Sequence, residues 1–563
     1  MTRTVSIGIL STTLSLAGAT APVSAQQQSP SEARIQELIR VAAERAAQAP
    51  AQTGSTQTTQ SATGDTRPVI RLGLEDAVRF ALERNLDIQV QRLNPQINDI
   101  AVASIQSIYH PNLTSTLSTQ SNTQASTSTI SGTQSAGQAV VNGTNTFNGG
   151  LAQSIPWGGG TLAVQLNNSR ATTTSLNSLI NPTYNTNWSG QYTQPMMRGF
   201  RIDSTRQQLA VARINRDISD IQLKASITNT LTNVRNAYWD YVFATEAVQV
   251  AQSSLDLATK LVQDNQTRVE VGTMAPIDVV QARSEQATRR QALVSAQSTR
   301  RTTELSLKRL IVSGTDDSNW DAAIDPTDRP DFRPEAIDIP AAVRRALSER
   351  TDIDIAKKST ETNNVTLKYL QDQMRPQADL VAFYGFNGLG GTQLLTEGQG
   401  VNRTVIGSIP GGYADALSSL FRNSFPRWNV SMNFSIPLGL SSAQASAARA
   451  RVQLNQVQAQ LKQVELQVAT DVTNAAITAQ NTAEAVQAAQ VARELAQQKL
   501  EAEQSKFEVG MSTNYFVVQA QRDLADAANS ELRTVLNYRK SLVELERVQS
   551  TTLQNLNITI IGR

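Results

Sequence analysis

The sequence predicts a mainly α-helical protein with a β part suited to a membrane, built from a helix–strand–strand–long helix–helix unit that occurs twice. Three observations carry this. Residues 201–271 and 440–509 each run without one glycine or proline, fenced by Gly199 and Gly272 in the first case and by Gly439 and Gly510 in the second. Proline costs about 3 and glycine about 1 kcal/mol inside a helix, so each stretch can form one continuous helix ~100 Å long at ~1.5 Å per residue. Next, the halves repeat. Ala77 to Ile88 align with Ala342 to Ile353 with seven of twelve pairs identical, and the offset of 265 holds until Pro111 meets Pro376. Glu270-Val271-Gly272 matches Glu508-Val509-Gly510 at an offset of 238. Finally, strand patterns fill the gap between proline and long helix. Trp428, Val430, Met432, Phe434 and Ile436 alternate with Asn429, Ser431, Asn433 and Ser435, which gives one apolar and one polar face.

No single compact domain buries rods of this length. Their partners are other helices: Ile227, Leu231, Val234, Tyr238, Tyr241, Val248 and Leu255 follow heptad spacing, as do Leu454, Val457, Leu461, Val464, Val468, Val472, Ala475 and Ala479. Sustained heptads mean long helices packed with a left-handed wind.

In chain order, Arg3, the apolar run from Val5 to Ala21 and the small residues Val23-Ser24-Ala25 read as a signal peptide over 1–25. Residues 26–70 form an N-terminal extension, with an amphipathic helix over 31–49 and a Thr/Gln/Ser/Gly-rich linker from Pro50 to Pro68. The first unit covers 71–312, with strands at about 112–194 and the long helix at 201–271. A surface connector covers 313–335. The second unit covers 336–555, with strands at about 377–437 and the long helix at 440–509, and 556–563 closes the chain. Pro111 and Pro376 end the incoming helices. Leu113 to Leu117 is predicted to partner the Tyr184, Trp188 and Tyr192 strand, and Ala378 to Phe386 the Trp428 strand. An extra hairpin turning at Trp157-Gly158-Gly159-Gly160, with Leu162, Val164 and Leu166 after it, has no predicted place.

Past the signal, no stretch reaches the ~18 to 20 apolar residues of a membrane helix. If this chain spans a membrane it does so as a closed β-barrel, because only helices and closed barrels satisfy every backbone polar group in lipid. Two strands from each unit cannot close one, since the smallest such barrels have about eight. Several chains are required.

Chemistry is absent from the pattern. The chain has no cysteine, which excludes disulfides, thiolate metal sites, a cysteine nucleophile and a lipid anchor. Its one histidine, His110, stands in a helix exit, where a structural or interfacial role fits. Gly158-Gly159-Gly160 lacks the lysine of a phosphate loop, the aspartates of 313–334 lack the spacing of a calcium loop, and Arg289-Arg290 and Arg300-Arg301 read as a solvated face. No catalytic, cofactor or metal site is expected. A net charge of +2 with 5% aromatic residues speaks against a nucleic-acid surface.

The motifs Leu74-Glu75-Asp76-Ala77-Val78 with Ala81-Leu82 and Asn85, Gln194-Pro195 with Arg198-Gly199, Val269-Glu270-Val271-Gly272 to Asp278, and the duplicates at Ala342 and at Phe507 to Gly510 carry a family likeness. From Leu72 to Asn555 the chain resembles the TolC-type outer membrane efflux proteins. The resemblance implies a homotrimer in which each chain gives four strands to a twelve-stranded barrel in outer-membrane lipid and its helices to a helical barrel reaching into the periplasm. It implies an exit duct for an efflux pump or type I secretion, passive and not an enzyme, with a periplasmic adaptor and an inner-membrane pump as partners. It also implies an aperture and adaptor contact at the helix ends near Gly272 and Gly510. Family carboxylates stand six and nine residues beyond the second turn glycine. Here those positions hold Phe516 and Gln519, and the first unit has Asp278 and Gln281, so an acidic ring rests on Asp278 alone. The other reading of the residues is a periplasmic coiled-coil scaffold with a small β-domain that never inserts in the membrane.

Overall fold

A computed structural model describes residues 68–558 apart from 127–131, 134–136, 330–331, 399–402, 437 and 440. The expected signal peptide, the helix over 31–49 and the linker up to residue 67 lie outside the described residues.

The first unit forms β1 (Val69–Leu72), α1 (Leu74–Arg84), α2 (Leu86–Gln106), β2 (Asn112–Ala125), β3 (Ala139–Ser154), β4 (Thr161–Thr173), β5 (Ile180–Pro195), α3 (Ser204–Glu270) and α4 (Pro276–Ile311). After α5 (Ser318–Asp321) and β6 (Ala323–Pro326), the second forms α6 (Ile339–Glu349), α7 (Thr351–Gln373), β7 (Gln377–Glu397), β8 (Thr404–Ile409), α8 (Tyr413–Phe421), β9 (Phe425–Ser435), α9 (Ser442–Glu508), α10 (Asn514–Val548) and α11 (Thr552–Asn555).

Each long helix has 67 residues. Asp203 starts α3 by accepting the Arg206 N–H at 2.7 Å, and Ser441 with Gln444 forms a reciprocal cap on α9. The predicted seam is buried in α3 at Ile227, Leu231, Val234, Tyr238 and Tyr241, while its last members Val248 and Leu255 are only half-buried. In α9 only Val468, Val472 and Ala479 of the seam are buried. Each long helix pairs with the helix that returns from its tip, α3 with α4 and α9 with α10, while α2, α3, α7 and α9 pack side by side in that order nearer the sheet.

The connector is mostly exposed or half-exposed, as expected, but it also sends β6 back to pair in parallel with β1, with Ala322 and Ile324 buried. Tyr238 fixes this waist by donating to the Leu72 carbonyl at 3.1 Å or the Asp328 carboxylate at 2.8 Å, and Tyr241 donates to the Ile324 carbonyl. Burial, then the charge of Glu304, pushes the Tyr241 hydroxyl up to about 12, so it remains a donor throughout the neutral range. Lys308, fully buried, is held by Glu304 at 2.9 Å and the Trp320 carbonyl at 2.9 Å.

The sheet runs β2-β3-β4-β5-β7, and the far side of β7 takes β9 along its helix-proximal half and β8 along its distal half. Ala378 to Phe386 does face the Trp428 strand as expected. The other pairing is corrected: β2 pairs with β3, and the unplaced hairpin β3–β4 stands between β2 and β5. Alternation fixes which face a residue occupies but not which strand lies beside it, so it does not show that the hairpin takes the place beside β2. The hairpin closes with the Ile155 N–H donating to the Gly160 carbonyl at 2.7 Å. The sheet also holds more than two strands of the first unit, since β2, β3, β4 and β5 all belong to it.

Candidate channel aperture

At the end away from the sheet, α3 and α9 stop by the same device. The Thr273 N–H reaches back to the Arg268 carbonyl (2.9 Å) and the Gly272 N–H to the Val269 carbonyl (3.0 Å). In the second unit Met511 and Gly510 do the same to Lys506 (2.8 Å) and Phe507 (3.2 Å). This double bond pattern needs a left-handed residue after the last helical turn. Gly272 at φ +79° and Gly510 at φ +78° supply it.

The tips are held together by a small core of Leu261, Val262, Ala282, Leu500, Phe507, Val517, Val518 and Ala520, drawn from α3, α4, α9 and α10. Polar links cross between the two hairpins. Asn265 Nδ2 donates to Asn514 Oδ1 at 2.8 Å in a fully buried pair, and Asn514 Nδ2 donates to the Asp278 carbonyl at 3.2 Å. Arg268 stacks over the Phe507 ring at 4.5 Å and donates to the Phe507 carbonyl at 3.3 Å. Glu285, 1% exposed, accepts from Arg289 one turn along α4 at 2.7 Å and from Arg522 of α10 at 2.5 Å. Burial works against its charge, but the hydrogen bonds and positive charges of Arg522 and Arg289 outweigh it and hold the carboxyl below the usual range.

The sequence-selected residues fall around this network. Asp278 lies half-buried in the first turn of α4 and Gln281 is exposed one turn on. Phe516 is exposed and edge-on to Tyr515, with ring centroids 5.6 Å apart. Gln519 donates to Asp523 at 2.8 Å, and Asp523 also receives Lys499 at 2.7 Å. Gly272 and Gly510 stand in open space at the very tips. The links through Glu285, Arg522, Asn265 and Asn514 were not read from the sequence, and Arg289, read there as part of a solvated face, serves one of them. At the opposite end Trp428, Val430, Met432 and Phe434 lie exposed on one face of β9, and Ile436 is exposed just past its end. No helix among the described residues is long and apolar enough to cross a membrane, and no cluster of metal-ligating side chains occurs among them.

The family profile described as outer membrane efflux protein matches residues 77–312 and 342–549, both units and most of the chain. The chain belongs to the outer membrane efflux protein family. Solved channels share its fold at low identity. The Campylobacter jejuni CmeC outer membrane channel is 14% identical with a TM-score of 0.59, covering 86% of this chain and 90% of its own. The Vibrio cholerae outer membrane protein VceC is 14% identical at 0.58, covering 84% and 95%. The open state of the Neisseria gonorrhoeae MtrE outer membrane channel is 15% identical at 0.55, covering 84% and 88%. No curated protein matches the sequence. As a family member the chain is an outer-membrane channel that extends into the periplasm, a passive efflux duct and not an enzyme. The reading of a scaffold that never enters the membrane is set aside by that membership.

Proposed function

We propose that three copies of this chain close into one duct, that the α3–α4 and α9–α10 tips form its gated periplasmic mouth, and that a periplasmic adaptor of an inner-membrane pump docks there. The single observation that carries the closure is a pair of unpartnered flanks. Leu86, Val90, Leu93, Ile97 and Ile100 of α2 form a heptad stripe in which every member is more than half exposed, and an exposed a/d stripe is a seam without its partner. On α9, Ala445, Val452, Ala459 and Leu466 are exposed at intervals of seven residues. These helices are the two outer members of the four-helix layer, and they are joined to β2 and β9, the two edges of the sheet in its helix-proximal half. One chain's α2 and β2 therefore suit the α9 and β9 of the next.

The tip suits docking because its exposed apolar residues cluster: Val271, Ile277, Val509, Met511, Tyr515 and Phe516 are all more than half exposed. The polar links made by Asn514 and Arg522 suit a gate, since parting α10 from α3 and α4 breaks them together. Whether the membrane wall has twelve strands, as four per chain would make, turns on the β3–β4 hairpin. Native mass spectrometry of protein extracted from outer membranes, followed by bilayer conductance, tests the reading. A trimer with a small closed-state conductance is expected, and a soluble monomer without channel activity would sink it.

A further inference from the structure

β3 and β4 are additional to the four strands per chain that the duplicated unit predicts, and three observations place them in the barrel wall. Pairing is continuous, with thirteen or more partners in register between β2 and β3 and between β3 and β4, and eleven between β4 and β5. The faces are in phase. Following cross-strand partners, one row reads Leu113, Leu151, Val164, Gly190, Tyr384, Trp428, and the row beside it Thr114, Gly150, Gln165, Ser189, Gly385, Arg427. Neighbouring rows lie on opposite faces, so along this row the apolar face crosses the hairpin in phase, while further from the helices the same face carries Asn168 and Arg170 beside Phe147 and Tyr184. A hairpin projecting from the wall or folded into the lumen has no need of that phase.

The third observation is α8. It lies across the distal part of the apolar face, where the Cβ of any residue replacing Gly388 in β7 would come within 2.0 Å of the Ala416 carbonyl. From its first turn Tyr413 sets its ring against Phe147 of β3 at 5.6 Å and Tyr184 of β5 at 6.2 Å, and donates to Asn168 of β4 at 2.9 Å. One short helix thus clamps β3, β4, β5 and β7 as neighbours.

We propose that each chain places six strands, β2-β3-β4-β5-β7-β9, in the outer-membrane wall, and that the free edge of β2 is occupied by β9 of a second copy. An open strand edge in lipid is not tolerated, β2 and β9 are both long enough for a tilted membrane strand of about 9–11 residues, and the α2 and α9 stripes bring the same two flanks together. The copy number rests on the trimer reading above: three copies of six strands make an eighteen-stranded barrel. Diameter grows roughly linearly with strand number, so this wall is about half again as wide as one of twelve strands and falls in the class that leaves an aqueous channel. The membrane section is then an open aqueous passage, and the narrower selection falls to the other end of the duct.

Single-particle imaging of the assembly extracted from outer membranes tests this. Eighteen strands in three copies is the expected result. Twelve strands with β3 and β4 outside the wall overturns the six-strand proposal and leaves the trimer standing. Six strands per chain in a different number of copies supports the wall assignment and overturns the trimer. Labelling of intact cells gives an independent reading, clean because the chain has no cysteine of its own. With a membrane-impermeant maleimide, Ala163→Cys and Gln165→Cys are expected to label at least tenfold faster than Leu162→Cys and Val164→Cys. Equal labelling of the two sets means that β4 is not a wall strand.

Discussion

Arg522 on α10 grips Glu285 on α4 with two donors, Nε at 2.9 Å and Nη2 at 2.5 Å, and so ties the returning helix of one unit to the returning helix of the other. Hydrogen bonds to a charged partner are worth about 1.5–3 kcal/mol. Arg522→Ala removes this tie and leaves Glu285 to Arg289, whose bond lies within α4 and cannot hold the hairpins together. At about 1.4 kcal/mol per factor of ten, the closed-to-open ratio of the proposed mouth falls roughly ten- to a hundredfold. Single-channel recordings should show longer and larger openings, while the melting temperature stays nearly unchanged because the core at the tips is intact.

The same pair sets a pH response. Because the folded carboxyl of Glu285 titrates below its ordinary value, the tie is fully present above the unfolded value of about 4.3 and is lost as pH falls through the lower folded one. Between pH 5 and 8 the Glu285–Arg522 contribution is therefore flat. Conductance recorded across that window should show no step that disappears in Glu285→Gln, and a step near pH 6 that does disappear would contradict this.

Gly272→Ala and Gly510→Ala each force a side chain into the left-handed region at φ near +79°, at a cost of about 1–2 kcal/mol. Open space around both glycines means that the strain is conformational and not a clash. Hydrogen exchange should rise over residues 268–276 in the first variant and 506–514 in the second, with little change at the waist around Tyr238. Adaptor affinity, measured by surface binding, should fall more in the double variant than in either single one.

Assembly has its own test on α2 and α9. Leu93→Asp and Leu466→Asp put a charge into the stripes proposed to meet between copies, and each forfeits about 1–2 kcal/mol of apolar burial at every interface before the cost of burying the charge. Both positions are exposed within one chain, at 52% and 70%. The folded chain should keep its helical content and lose its oligomer. An unchanged oligomer by gel filtration in both variants would move the interface elsewhere.

What the sequence disclosed follows from how local each signal is. The long helices were legible because the absence of breakers and the heptads from Ile227 to Tyr241 act within a few turns, and the tips because Gly272 and Gly510 answer a local backbone demand. The faces of β7 and β9 were legible from alternation. The neighbour of β2 was not, because pairing across an inserted hairpin depends on residues far along the chain. Glu285 was not legible because it sits among polar residues on a largely exposed helix, and Arg522 because it is one of the few exposed positions of α10; the pair forms where α4 approaches α10. The connector's prolines and aspartates suit the surface it mostly keeps, but the capture of Ile324 by Tyr241 and β1 depends on residues far along the chain.

Asp278 supplies the last prediction, since among Asp278, Gln281, Phe516 and Gln519 it alone carries a carboxylate. Two roles compete for it. In the first turn of α4 a negative charge stabilises the helix by about 0.3–1 kcal/mol whatever lines the mouth, whereas a ring of three such charges in the proposed trimer would bind multivalent cations entering from the periplasm. Asp278→Asn removes the charge with little change of shape, and its carbonyl bond from Asn514 is a backbone contact that survives the change. If the ring exists, block of the reconstituted channel by a trivalent cation added from the periplasmic side should weaken tenfold or more, while the unblocked conductance changes little. A helix-end role alone predicts a melting shift of a degree or two and an unaltered block, and that outcome would mean that this chain closes its mouth without an acidic ring.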